Sequence, residues 1–185
     1  WVFRGLQAVG AALLLGLFLI FKGGADGSQG MTPQWWGILG LIGWTYLVTS
    51  ALYLFLFQRN IYLIAALLFF ALLNIADHAG WIKSLLPNGP QELLPGNGAF
   101  QLFAFLGIVA TLLLEQYKKA ARTAKLPLVY FGLGAVLIAA GTLSQHFFII
   151  SKINATPTWA FLCSGIPFIT FALVFWLVDF RGKVQ

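Results

Sequence analysis

The residues of this chain whose types and spacing favour chemistry lie around its two histidines. The stretch "NIADHAGW" places Asn74, Asp77 and His78 directly after the uncharged run "IYLIAALLFFALL". His146 lies in a second polar stretch, "SQHFFIISKINATPTW". Asn74 and His78 are four residues apart, so they share one face of a helix. Because imidazole and carboxylate groups are the commonest general bases and acids, we predict that His78, Asp77 and His146 are catalytic.

Further polar side chains flank these three residues and extend the predicted site. The candidates for substrate binding carry amide or ammonium groups, which bind hydroxyl groups and anions. They are Asn74, Gln145, Lys152 and Asn154. A second interpretation stays open, because an Asp–His pair near a membrane surface can simply be solvated. A lysine such as Lys152 often extends its ammonium group to the interface without binding a ligand.

A metal site is not predicted. Two histidines and an aspartate could supply three ligands, but Asp77 and His78 are adjacent and point in different directions on a helix. The sequence contains no HxxxH or CxxC spacing. Cys163 is the only cysteine, so the chain can form no internal disulfide.

The elements that must position these residues follow from the composition. Of the 185 residues, 60% are hydrophobic and 9% are charged, and the mean hydropathy is +0.88. A membrane-spanning helix needs about 20 mainly apolar residues, and the qualifying segments are 5–21, 35–57, 61–79, 99–114, 126–150 and 157–178. We therefore predict an all-α, polytopic membrane protein with six spans in a single membrane domain, residues 1–185. Ala135 and Ala139 in the fifth span are small enough to allow close helix packing.

The basic residues predict an orientation. With a cytoplasmic N-terminus, the inner side holds Arg4, Arg59, Lys118, Lys119, Arg122, Lys125, Arg181 and Lys183. The outer side then holds only Lys22, Lys83 and Lys152. Loops on the cytoplasmic side carry an excess of lysine and arginine, so both ends of the chain are predicted to be cytoplasmic. The net charge of +6 is explained by this topology and does not indicate a nucleic-acid partner.

The segment "EQYKKAARTAK" gathers four of these charges on the predicted inner side, at Lys118, Lys119, Arg122 and Lys125. Clustered cations next to a membrane attract anionic lipid head groups. They are also suited to the phosphates of a cytosolic donor such as coenzyme A. Both interpretations stay open, beside the simple one that the charges only fix the topology.

Three segments carry a resemblance to a known family. They are "WWGILGLIGWTYLVTSALYLF" (35–55), "LPGNGAFQLFAFLGI" (94–108) and "IISKINATPTWAFLCSGIPFITFALVFWLVDFRGK" (149–183). Together they resemble the later half of the heparan-alpha-glucosaminide N-acetyltransferase family, in particular its bacterial relatives. The last segment is the most specific, with a polar link followed by a long span and the ending "LVDFRGK". Because the chain starts at Trp1, we expect it to be a piece of a longer protein.

The resemblance implies an activity. Members of that family take an acetyl group from acetyl-CoA on the cytosolic side and transfer it to a sugar amine across the membrane. A similar chain would have acetyl-CoA as its co-substrate, a saccharide acceptor, and a location in the bacterial cytoplasmic membrane. Lys118, Lys119 and Arg122 would then contact the donor. The family's catalytic histidine belongs to an earlier part, so no residue here inherits that role, and this piece is expected to be inactive alone.

Two other functions stay open. A transporter or flippase for a small or lipid-linked solute would be expected to carry ionisable residues and broken helices near the bilayer midplane, and the charges of this sequence avoid such positions. A non-catalytic membrane subunit would need only packing residues. Membrane lipid is the expected surrounding in every case, and a homo-oligomer is compatible with all three functions.

Overall fold

The computed structural model describes residues 2–31, 37–56, 60–85 and 97–180, and the regular structure in these ranges is helical. The α-helices are α1 (Val2–Ile20), α2 (Ile38–Leu56), α3 (Asn60–His78), α4 (Trp81–Leu85), α5 (Ala99–Lys119), α6 (Leu126–Ser144) and α7 (Pro157–Phe175). A 3-10 turn, Thr123–Lys125, precedes α6, and a π-helical segment, Trp176–Phe180, continues α7. All of these α-helices except α4 are long and apolar enough to cross a membrane. The predicted all-α fold with six spans is therefore confirmed, and the chain is a multi-pass membrane protein.

The chain divides into two units, Trp1–Gly40 and Leu41–Gln185. The first unit contains α1, which exposes apolar side chains along its whole length, and a loop closed by a bridge between Gly23 and Gln29. In that loop the hydroxyl and N–H groups of Ser28 donate hydrogen bonds to Asp26, which lowers the pKa of this carboxyl group.

The core of the second unit lies where α3, α5, α6 and α7 meet. The rings of Phe70 on α3 and Phe105 on α5 are stacked, with centroids 5.6 Å apart. Tyr130 on α6 is buried, and its hydroxyl group donates a 2.6 Å hydrogen bond to the main-chain carbonyl of Ala110 on α5. Membrane helices gain little from the hydrophobic effect against each other and rely on such close packing and hydrogen bonding.

Helices α6 and α7 approach most closely through glycines. A Cβ atom on Gly134 would lie 2.8 Å from the Gly165 carbonyl oxygen, and one on Gly141 would lie 2.7 Å from the Leu162 side chain. The sequence-based choice of Ala135 and Ala139 as the packing residues of this span is wrong, because both are exposed. The close face of α6 is displaced from them and carries Gly134 and Gly141, two turns apart.

Two helix ends differ from the predicted spans in ways that affect the site. Helix α5 continues to Lys119 rather than ending at 114, and Glu115 and Lys119 form an i,i+4 ion pair of 3.9 Å on its last turn. Helix α6 ends at Ser144 rather than continuing to 150, because the Ser144 carbonyl accepts hydrogen bonds from the N–H groups of Phe147 and Phe148 in a tight turn. His146 consequently lies in this turn and not inside a span. Arg59, Arg181 and Lys183, used to predict the orientation, lie outside the described residues.

Candidate functional site

The candidate site is a junction of polar groups at the end of α3. We call it the polar junction and define it as the side chains of Asn74, His78 and Asn97 with the main-chain carbonyls of Asn154 and Ala155. The last turns of α3 supply Asn74 and His78, Asn97 directly precedes the start of α5, and the two carbonyls belong to the link between α6 and α7. Three segments that are distant in sequence therefore meet at one point.

Two asparagine side chains fix the link in place. Asn74 is only 1% exposed, and its Nδ2 donates a 3.0 Å hydrogen bond to the Ala155 carbonyl. Asn97 Nδ2 lies 2.9 Å from the Asn154 carbonyl oxygen and 3.2 Å from that of Ala155. Asn97 Oδ1 accepts a 3.4 Å hydrogen bond from the N–H of Ala99 in the first turn of α5. Because buried polar groups are costly without partners, these bonds hold α3, α5 and the link together.

The imidazole of His78 is partly buried and has a main-chain carbonyl next to each of its nitrogens. Nδ1 lies 2.9 Å from the Asn74 carbonyl oxygen, one helical turn earlier, and Nε2 lies 3.0 Å from the Asn154 carbonyl oxygen. Asn97 Nδ2 lies 3.5 Å from Nε2. The ring also meets the edge of Phe148, with centroids 6.2 Å apart. A neutral imidazole has one N–H donor, so in that form only one of the two carbonyls receives a hydrogen bond.

The link between α6 and α7 is ordered by hydrogen bonds of its own side chains and of the first turn of α7. Thr156 Oγ1 accepts a 3.1 Å hydrogen bond from the Ser151 N–H, and Ser151 Oγ accepts a 3.2 Å bond from the Asn154 N–H. Thr158 Oγ1 donates a 2.7 Å bond to the Phe148 carbonyl. Ala155 adopts a left-handed backbone with φ of 48°, which costs about 1–2 kcal/mol for a residue with a Cβ atom. This turn directs the Asn154 and Ala155 carbonyls at α3.

The structure brings together only part of the predicted site. Asn74 and His78 share one face as expected, while Asn154 takes part through its carbonyl and its side chain is exposed. Asp77, Gln145, His146 and Lys152 are also exposed, and in the described part of the chain their side chains form no hydrogen bond with the polar junction. That Asp77 and His146 are catalytic and that Gln145 and Lys152 bind substrate stays a prediction.

Asn97 belongs to the polar junction but is not among the site residues predicted from the sequence. The sequence feature that could have indicated Asn97 is the pair Asn97–Gly98 next to the start of α5. Gly98 has a φ of 89°, and a Cβ atom there would lie 2.9 Å from the Phe70 carbonyl oxygen. Glycine thus allows the chain to pass close to α3, and Asn97 is brought within reach of His78.

The basic residues lie at the other end of α5. Lys118, Lys119 and Arg122 are exposed, about 30 Å from the Asn97 end, since α5 contains 21 residues at about 1.5 Å each. Lys119 pairs with Glu115 at 3.9 Å, which is the one ion pair among the described residues. The prediction that these cations contact the phosphates of a donor is not tested by this arrangement.

The described residues contain no group of three or more His, Cys, Asp or Glu side chains that could hold a metal ion. Comparison of the chain with family models, curated proteins and solved structures finds no match. The resemblance noted in the sequence therefore remains a prediction, and the geometry of the polar junction is the main guide to function.

Proposed function

We propose that this chain is part of a membrane-bound acyltransferase that moves an acetyl group from acetyl-CoA to an amino sugar or related saccharide. The observation that carries the proposal is the position of the His78 imidazole. A main-chain carbonyl oxygen lies within 3.0 Å of each ring nitrogen, and the Asn97 amide nitrogen lies 3.5 Å from Nε2. The resemblance of segments 35–55, 94–108 and 149–183 to the glucosaminide acetyltransferases supplies the reaction class. The role of His78 rests on geometry alone, because the resemblance assigns no catalytic residue to this chain.

The chemistry follows from the hydrogen bonds of the ring. When Nδ1–H donates to the Asn74 carbonyl, the lone pair of Nε2 is available as a base. In this form the Asn154 carbonyl oxygen faces the Nε2 lone pair at 3.0 Å, so an acceptor amine donates its proton to Nε2 only after displacing this carbonyl from the ring. As the amine nitrogen attacks the thioester carbonyl, Nε2 takes the amine proton, the C–S bond breaks, and coenzyme A leaves as a thiolate that is then protonated. The Asn97 Nδ2 group lies 3.5 Å from Nε2 and donates to the Asn154 and Ala155 carbonyls, so it holds the link beside the ring.

Orientation and location belong to the same proposal. In a bacterial cytoplasmic membrane with both ends of the chain inside, the polar junction faces outward, where a saccharide acceptor is present. Acetyl-CoA enters from the cytosol at the opposite end of α5, so its thioester has to reach a polar junction about 30 Å away.

The experiment measures acetyl transfer by the intact protein in detergent, with radiolabelled acetyl-CoA and a panel of amino sugars. His78→Gln keeps an amide able to hydrogen bond with the link but removes the base, and we expect about 10²–10⁴-fold less product. His146→Gln makes the same change at the exposed histidine, and a comparable loss of transfer there with His78→Gln unaffected would assign the base to His146 instead. Transfer that survives His78→Gln would show that His78 only supports the link. No transfer by the unaltered protein, with solute uptake into vesicles instead, would favour the transporter.

A further inference from the structure

A groove runs between α5 and α7 at the depth of the membrane interior. Its cavity measures about 350 Å³ and is lined mainly by apolar groups. Small or helix-interrupting residues create the space: Gly107 and Ala110 on α5 face Pro167 on α7, and the walls are completed by aromatic rings such as Phe103 and Phe171. A Cβ atom added at Gly107 would meet nothing within 4 Å. The groove is thus open on the side of Gly107.

The open side of the groove is aligned with a basic residue at the end of α5. Lys118 follows Gly107 by eleven residues, which is three turns of an α-helix, so the two residues share a face about 16 Å apart. Leu114 lies between them on the same line of the helix. This distance matches the half-thickness of a bilayer, whose hydrocarbon core is about 30 Å thick. A molecule with its charged end at Lys118 and a chain about one leaflet long would reach Gly107.

The charge at this end of α5 is strongly positive. Lys118, Arg122 and Lys125 are exposed and have no acidic partner among the described residues, while the carboxylate of Glu115 is paired with Lys119. The short connection from α5 to α6 keeps these cations together within a few residues of the membrane surface. Such a cluster attracts anionic head groups, with each Lys or Arg contributing about 1 kcal/mol.

We propose that one anionic phospholipid binds here as a specific ligand, with its phosphate at Lys118 and Arg122 and an acyl chain in the α5–α7 groove. The apolar lining fits a hydrocarbon chain, and the aligned cations fit the head group of the same molecule. A further helix is a poorer occupant, because a helix with side chains is about 10 Å wide and α5 and α7 already contact each other along the groove. This inference does not rest on the acyltransferase proposal, although acetyl-CoA and the lipid would compete for Lys118 and Arg122.

Native mass spectrometry of the intact protein in detergent tests it, with phosphatidylglycerol and phosphatidylcholine of identical acyl chains as probes. We expect one phosphatidylglycerol molecule to bind more tightly than phosphatidylcholine. Lys118→Gln with Arg122→Gln should weaken binding about 30-fold, because each cation contributes about a factor of five. Gly107→Leu should abolish the preference by filling the groove. The matched controls are Lys22→Gln with Lys83→Gln, which removes the same charge, and Gly132→Leu, at an exposed glycine of α6 with nothing within 4 Å of its Cβ position.

Each outcome decides the proposal. Loss of binding in both test variants, with both controls unchanged and all four variants folded by gel filtration, would support a two-part lipid site. Loss in the charge variant alone would mean that the head group binds without the groove, and equal loss in the controls would mean non-specific adsorption; either result overturns it. Displacement of the lipid by acetyl-CoA would assign the cations to the donor and overturn it as well.

Slower maleimide alkylation of Cys163, which lines the groove, on adding phosphatidylglycerol would provide independent support, whereas an unchanged rate would overturn the acyl-chain placement.

Discussion

At the residue scale, the polar junction depends on donors that reach main-chain carbonyls across the fold. Asn74 is the most buried of them, and both Asn74 and His78 on α3 lie within hydrogen-bond distance of the link. The order of the link therefore depends on these donors as well as on its own side chains. The proposed base, His78, and the Asn154 carbonyl that faces it both belong to this network. The contribution of the network to protein stability can be measured by unfolding, separately from acetyl transfer.

The Asn74→Ala variant tests this network. It removes the 3.0 Å hydrogen bond to the Ala155 carbonyl, and we expect a loss of about 1–2 kcal/mol in the free energy of unfolding. The midpoint of thermal unfolding in detergent should then fall by about 2–8 °C. Asn154→Ala is the matched control, because only the main chain of Asn154 contacts His78 and its side chain is exposed. An equal fall in both variants would contradict the role assigned to Asn74.

Sequence reasoning could reach part of this site. The spacing of Asn74 and His78 predicts a shared helix face, because the period of an α-helix is a local property. The Asn97–Gly98 pair indicates a tight turn at the start of α5, but nothing local indicates that this turn and the Asn154 and Ala155 carbonyls meet α3. Asp77 is adjacent in sequence to His78 but lies about 100° around the helix, and its side chain is exposed.

At the element scale, the α6–α7 contact is the closest helix pairing of the second unit. The glycines of the two helices face each other, so that a Cβ atom on Gly165 would lie 2.7 Å from the Gly134 carbonyl oxygen and 2.7 Å from Ile138 Cγ1. Main-chain atoms cannot move away as the end of a flexible side chain can. This pairing holds the middle of α7 against α6.

We predict that Gly165→Ala separates α6 from α7 and destabilises the protein by about 1–3 kcal/mol, the usual cost of overpacking. The thermal midpoint in detergent should fall accordingly. Gly132→Ala makes the same change on α6 where the new methyl group meets nothing within 4 Å, and it should be neutral or slightly stabilising because alanine favours helix more than glycine does. A stable Gly165→Ala protein would show that the helices can shift apart at little cost.

The helices themselves were predictable to the extent that apolar length determines them. All six spans follow from composition, since a run of about 20 apolar residues has few alternatives to a membrane helix. Their ends were harder to predict, because the apolar residues 147–150 extended the predicted fifth span past the polar Gln145 and His146, whereas in the structure a turn begins after Ser144. The packing faces were also missed, since alanine and glycine in α6 look equally small and only the partner helix distinguishes them.

At the scale of the whole molecule, the acetyl-transfer proposal depends on which side of the membrane each end of α5 faces. The polar junction lies at one end and the exposed cations Lys118, Lys119 and Arg122 lie at the other. An acyltransferase that takes acetyl-CoA from the cytosol requires the cations inside and the junction outside. The distribution of basic residues in the sequence predicts this orientation, whereas the fold by itself is compatible with either.

Cysteine labelling of intact bacteria decides the orientation. In a Cys163→Ser background, Lys152→Cys should react with a membrane-impermeant maleimide from outside, whereas Arg122→Cys should react only after permeabilisation. Both positions are exposed, so a difference between them reports the side of the membrane rather than burial, and equal labelling after permeabilisation is the control. The reverse pattern would place the polar junction in the cytosol, where an acceptor outside the cell cannot reach His78. The acetyl-transfer proposal would then fail in its present form, while the lipid proposal would stand with its head group in the opposite leaflet.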